Sequence, residues 1–180
     1  MGFGSIIAAM VSIATILLAS YVCSKGGFYM ADGLSNSVVE MQENRNEILK
    51  TEIKVTGVST DREDILVFLQ NTGSIKIGDF TYMDVIIAYQ NESGTVKTVW
   101  IPYQEGEVLS KNRWTKLDIA PDLMNPGVFD PGEKMELQVR LDASDPPGNS
   151  SINWLLVAAP NGVKTSQYFS DNLSEDDLGI

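Results

Sequence analysis

Twenty-four residues, Met1 to Ser24, carry no charged side chain, and Lys25 is the first charge on a side chain. A run this long and apolar reads as a helix that crosses a membrane or fills the core of a bundle, not as a piece of a soluble core. At 1.5 Å per residue it spans about 30–35 Å, one bilayer core. No basic segment stands ahead of it, which makes it a poor secretory signal, so the expectation is that residues 1–24 stay on the protein as an anchor. Tyr21 falls near the end of the run, where an interfacial aromatic belongs. Gly4, Ala8 and Ser12 recur at i, i+4 and i+8, a small-residue face that lets a second helix approach closely. Lys25 alone sets only a weak orientation bias.

Past Gly26-Gly27 the helical period continues. Met30, Leu34, Val38, Met41 and Ile48 form an apolar stripe of coiled-coil type, with Glu40, Glu43, Arg45, Glu47 and Lys50 mostly on other faces. Residues 25–50 therefore read as an amphipathic stalk. The stripe suits pairing with a second copy of the chain and packing on the chain's own β-domain equally. A continuous helix to about Lys50 is about 70–75 Å long, with Gly26-Gly27 as the expected kink.

At Thr51 the period changes from helical to two. Strand candidates follow at Ile53 to Val58, Ile65 to Leu69, Phe80 to Tyr89, Val96 to Tyr103, Trp114 to Ile119, Met135 to Leu141, Trp154 to Ala158 and Val163 to Phe169. Asn71-Thr72-Gly73, Ser93-Gly94, Asp130-Pro131-Gly132 and Asn161-Gly162 mark turns between them. Asn161-Gly162, between two apolar runs, is the strongest hairpin signal. Pro121 to Pro131 and Asp142 to Ser151 read as long loops. Short strands without helices between them predict a mainly β protein, an immunoglobulin-like antiparallel sandwich over residues 51–170 behind the transmembrane helix. Residues 171–180 form an acidic tail expected to fray.

Charge and composition narrow the function. Of a net charge of −11, residues 1–50 carry −1 (Lys25, Arg45 and Lys50 against Asp32, Glu40, Glu43 and Glu47), leaving −10 for the rest. Nucleic-acid binding needs the opposite sign. The chain has no histidine, which removes the usual general base, the Ser–His and Cys–His pairs and most zinc sites. Its one cysteine, Cys23, lies in the apolar run and reads as a small hydrophobe. Asp61, Glu63 and Asp64, and again Asp142 and Asp145, cluster as turn residues. A calcium site is the sharper alternative there, but neither stretch has EF-hand spacing. No phosphate loop, dinucleotide fingerprint or catalytic constellation is present, so no enzyme activity and no cofactor are expected.

The aromatics Trp100, Tyr103, Trp114, Trp154 and Tyr168 fall on expected strands, and most are expected in the core. Trp100-Ile101-Pro102-Tyr103 stands apart. Pro102 cannot donate to a ladder, so this strand is expected at a sheet edge, where Trp100 and Tyr103 offer a candidate docking surface. Asn91, Asn149 and Asn172 open Asn-x-Ser/Thr sequons in turn-like stretches and are candidate glycan acceptors.

The order of parts, with Met1-Gly2-Phe3-Gly4-Ser5 at the start and the turn segments Leu69-Gln70-Asn71-Thr72-Gly73-Ser74 and Ala159-Pro160-Asn161-Gly162-Val163, resembles the accessory proteins of the archaeal flagellum (archaellum), flagellar proteins F and G, with the F-type favoured. The resemblance implies a single-pass membrane protein whose sandwich lies in the pseudoperiplasm, binds the surface-layer protein and holds the static part of a rotary motor. It implies other archaellum accessory or motor proteins as partners and no catalysis; self-association through the stalk adds a homo-oligomer to the expectations. The alternative is a pilin-like or archaellin filament subunit, with the apolar helix in the filament core. Such precursors carry a short basic leader, and none stands before Gly2.

Overall fold

The structure, a computed structural model, describes residues 2–61, 63–106, 108–148 and 152–170. Helix α1 spans Phe3–Lys50 and buries none of its described side chains. It passes through Gly26-Gly27 without losing helical assignment. Two compact units follow one another, Met1–Arg45 and Asn46–Ile180, so the last turn of α1 belongs to the same unit as the β-domain.

Eight strands complete the second unit: β1 Ile53–Asp61, β2 Asp64–Asn71, β3 Asp84–Gln90, β4 Val96–Ile101, β5 Arg113–Ala120, β6 Lys134–Arg140, β7 Asn153–Ala158 and β8 Lys164–Phe169. They form two antiparallel four-stranded sheets, ordered β1-β2-β6-β5 and β4-β3-β7-β8. That is the strand order of an immunoglobulin-like sandwich with one extra edge strand on the second sheet. The central strands alternate buried and half-buried side chains, as a two-residue period dictates. Ile65, Val67 and Leu69 of β2 and Met135, Leu137 and Val139 of β6 face Val85, Ile87 and Tyr89 of β3 and Leu155 and Val157 of β7 in one core, joined by Trp114 and Phe129.

Both edges of the first sheet are irregular. A bulge interrupts β1 between Val55 and Gly57 and another interrupts β5 between Lys116 and Asp118. Bulged edges resist pairing with other chains. The two sheets also meet along their sides. Val55 N donates to Thr165 Oγ1 of β8 at 3.4 Å. On the other side the chain beyond Pro102 reaches β5, with Trp114 N donating to Pro102 O and Gln104 N to Trp114 O at 3.1 and 2.8 Å.

Three sequence expectations need correction. The expected strand from Phe80 starts only at Asp84, because Phe80–Tyr82 is a 3-10 turn whose Thr81 N donates to the Asp79 carboxylate at 3.3 Å. The strand expected to Tyr103 ends at Ile101, where Pro102 stops the ladder. Of the five aromatics expected mostly in the core, only Trp114 is fully buried; Trp100 and Tyr168 are exposed, and Tyr103 and Trp154 half-buried. Strand alternation sends Trp100, Trp154 and Tyr168 to the outer face. The expected edge position of the Trp100 strand holds, since β4 ends its sheet.

The core residue Leu137 is fully buried. Leu137→Ala is expected to lower the unfolding free energy by about 2–5 kcal/mol in residues 46–180, read from urea denaturation followed by tryptophan fluorescence.

Candidate functional site

The outer faces of the two sheets differ in kind. On the first sheet, Asp64 and Arg113 both face Arg140, and Gln70 faces Lys134 and Lys54. The Arg140 guanidinium grips the Asp64 carboxylate at 2.9 Å through both Nε and Nη2. On the second sheet the register lines up Trp100, Ile86, Leu156 and Ser166 in one row across four strands, and Thr98, Ala88, Trp154 and Tyr168 in the next. The charges facing outward on that sheet are Asp84 and Lys164, at one end, flanking Ala158. Asp84 accepts the Trp100 indole N–H at 2.9 Å and holds the ring on the face.

The sequence does not separate the two sheets. β6 reads Lys134-Met-Glu-Leu-Gln-Val-Arg140, a strict alternation with one wet face. β3 and β7 contain the unbroken apolar runs Val85-Ile-Ile-Ala88 and Trp154-Leu-Leu-Val-Ala158, but β2 of the first sheet contains one too, Ile65-Leu-Val-Phe-Leu69, with Leu66 and Phe68 on its outer face. With strands about 4.8 Å apart and side chains on one face repeating about every 6.8 Å along a strand, the two rows on the second sheet cover about 260 Å². That is about a third of the area each partner contributes to a standard interface.

The sequence-predicted residues fall as follows. Gly4, Ala8 and Ser12 lie exposed on α1, and Ser12 Oγ donates to Ala8 O at 2.9 Å. Met30, Leu34, Val38, Met41 and Ile48 are all exposed on the same helix. Trp100 stands on the apolar face, 59% exposed. Tyr103 turns elsewhere, edge-on to Trp114 at 4.8 Å and tilted on Phe80 at 6.3 Å. Burial, and then Glu105, raises its phenol pKa. The two aromatics named as one docking edge thus belong to different surroundings. Asn149 and Asn172 lie outside the described residues. Asn91 Nδ2, the atom a glycan would join, donates to Asp145 Oδ1 at 2.7 Å, while Asn91 Oδ1 accepts from Thr95 N and Ser93 Oγ, both at 2.7 Å.

Asp145 is the centre of the densest polar cluster. It receives Asn91, the Tyr89 hydroxyl (3.4 Å to Oδ2, with 3.1 Å to its backbone oxygen) and the Lys97 ammonium. Lys97, with Asn91 and Tyr89, holds its carboxyl below the usual range. Lys111 and Ser144 hold Asp142 down to about 2. Burial, reinforced by Asp145, pushes the Tyr89 phenol up to about 12. These contacts tie the loop after β6 to the β3–β4 hairpin. A groove of about 240 Å³ between Phe80, Tyr103 and Lys116 is similarly committed: the Lys116 ammonium donates to Gly127 O at 3.1 Å and lies 4.9 Å from the Phe80 ring centre. Among the described residues no group of three or more His, Cys, Asp or Glu side chains is placed to hold a metal.

An uncharacterized protein of Archaeoglobus fulgidus is 27% identical over 172 residues, covering 94% of this chain and 97% of its own. No protein-family model matches. Among solved structures, a chain of the archaeal flagellum of Methanospirillum hungatei strain JF1 superposes with a TM-score of 0.51 at 13% identity, covering 96% of each chain. This chain has that archaellum fold. The match takes in helix and sandwich alike. The archaellum periplasmic stator protein FlaG from Sulfolobus acidocaldarius superposes with a TM-score of 0.44 at 20% identity, over 66% of this chain and 99% of its own.

The polar cluster sets an expected pH profile. Asp142 and Asp145 titrate below their ordinary value of 3.8, so their stabilisation is present above it and is lost as pH falls below it, that of Asp142 through about 2. Tyr89 titrates above 10, so its stabilisation is present below pH 10 and is lost as pH rises through about 12. Denaturation midpoints measured against pH are expected to show a plateau falling on both sides, with Tyr89→Phe flattening the alkaline limb and Asp142→Asn the acid limb.

Proposed function

We propose that this protein is a non-enzymatic component of the archaellum, anchored in the cell membrane by its N-terminal helix. Residues 25–50 space the sandwich from the membrane and pair it with a second copy through Met30, Leu34, Val38, Met41 and Ile48. The sandwich meets the surface layer outside the cell through its apolar outer face and serves the static part of the rotary motor.

One observation carries this reading. Helix α1 runs for 48 residues without a buried side chain, and its first half is apolar all round and long enough to cross a bilayer. Ile6, Ile13, Leu17 and Val22, on different sides of the helix, are each more than half exposed. Burying such side chains yields about 1.5–3 kcal/mol apiece, and none of the described residues covers them. The sandwich has a complete core of its own, so it does not depend on that cover. The sequence resemblance to flagellar proteins F and G supports the assignment to the archaellum.

A second reading, a filament subunit with α1 in the filament core, is favoured by the full-length likeness to the Methanospirillum hungatei flagellum chain. Fractionation of native cells separates the two. An anchor is expected to stay with sedimented membranes and to leave them in detergent; recovery in sheared filaments would replace the first reading with the second. For the sandwich, residues 46–180 are expected to bind isolated surface-layer sheets. Trp100→Ala and Tyr168→Ala, at positions 59% and 68% exposed, are expected to weaken that binding by about tenfold or more each while leaving the fold unchanged. Equal binding by both variants would remove the apolar face from the contact.

A further inference from the structure

Helix α1 ends at Lys50, yet Lys50-Thr51-Glu52-Ile53 holds none of the usual stops, neither glycine nor proline. The end is made by residues distant in sequence. Ser74 N donates to Lys50 O at 2.7 Å, and Thr72 N and Gly73 N donate to Glu52 O at 2.9 and 3.0 Å. A side chain at Gly73 would place its Cβ 2.4 Å from Glu52 N and 2.5 Å from Lys50 O, so this position admits glycine alone. The loop is itself locked from below: Asn71, fully buried, donates to Ile75 O at 2.8 Å and Phe129 O at 3.0 Å and accepts from Gly73 N at 3.1 Å. From the other sheet, Asn161 Nδ2 donates to Thr51 Oγ1 at 2.7 Å, and that hydroxyl donates onward to Glu47 O at 2.8 Å. Asn161 is positioned by the β7–β8 turn, where its Oδ1 accepts from Val163 N at 3.3 Å.

We propose that loop 71–74 and turn 159–163 form a two-jawed clamp that makes the last turn of α1 part of the sandwich's cooperative unit. One jaw extends β2 of the first sheet and the other joins β7 to β8 of the second. A load arriving along residues 46–52 is therefore divided between both sheets and does not peel β1 away alone. The clamp gives a role to the amides of Asn71 and Asn161 and to the missing side chain of Gly73 in these two turn segments. It holds whether α1 sits in a bilayer or in a filament core, and its test is independent of that choice.

The test is hydrogen exchange of the full-length protein in detergent micelles, read by mass spectrometry on peptides covering residues 47–52 and, as a fold control, 84–90. In the unmodified protein, residues 47–52 are expected to exchange on the timescale of residues 84–90. Gly73→Ala is expected to speed exchange at 47–52 by at least about tenfold, and Thr51→Val and Asn161→Ala by about fivefold each, with 84–90 unchanged. The Thr51→Val, Asn161→Ala pair is expected to speed exchange by less than the product of the two single effects, because both remove the bond these residues share. If Gly73→Ala also exposes 84–90, the two milder variants decide. Unchanged exchange at 47–52 in both, with 84–90 intact, overturns the proposal.

Discussion

The 2.7 Å hydrogen bond from Ser74 N to Lys50 O marks the point at which the chain changes its way of satisfying itself. Before it, backbone groups pair within one helix and the described side chains are exposed. After it, backbone groups pair across strands and the apolar side chains cover one another. Each half is stable on different terms. In proteins most helical stability comes from packing an apolar face and not from propensity. In α1 that packing is absent among the described residues. The sandwich has packing of its own, since Ile65, Leu137, Val139 and Leu155 are sealed completely.

The second sheet shows the same accounting at smaller scale. A two-layer sandwich needs only one apolar face per sheet, and the outer side of the first sheet mixes charged pairs such as Asp64–Arg140 with Leu66 and Phe68. The second sheet spends Ile86, Leu156, Trp154 and Tyr168 on a face that the fold does not need. The indole N–H of Trp100 is tied to the Asp84 carboxylate beside that face. A side chain fixed in advance loses less entropy when a partner covers it.

Much of this was legible in the amino-acid sequence. The change of period at Thr51 located the end of α1, Pro102 placed β4 at an edge, and Asn161-Gly162 marked the β7–β8 hairpin, where Gly162 takes φ 84°. All three are local signals with a steric or hydrophobic cause. The failures share a different cause. Phe80–Tyr82 has a strand's composition, but the Asp79 carboxylate captures Thr81 N and tightens the backbone into a turn. The aromatics went to the wrong side because residue type does not reveal which face of a strand is inward; register does, and register is a property of two strands together. The outer rows of the second sheet were illegible for the same reason. Trp100 and Leu156 are 56 positions apart, and only the pairing of both with Ile86 puts them in one row.

The bond between Thr51 and Asn161 joins residues 110 positions apart. A chain made from its N-terminus therefore completes α1 and the 71–74 jaw long before it makes the residue of the second jaw. Closing so long a loop costs entropy that the assembled sheets must offset. The end of α1 can thus be held on one side early, while its tie to the second sheet waits until the seventh and eighth strands arrive.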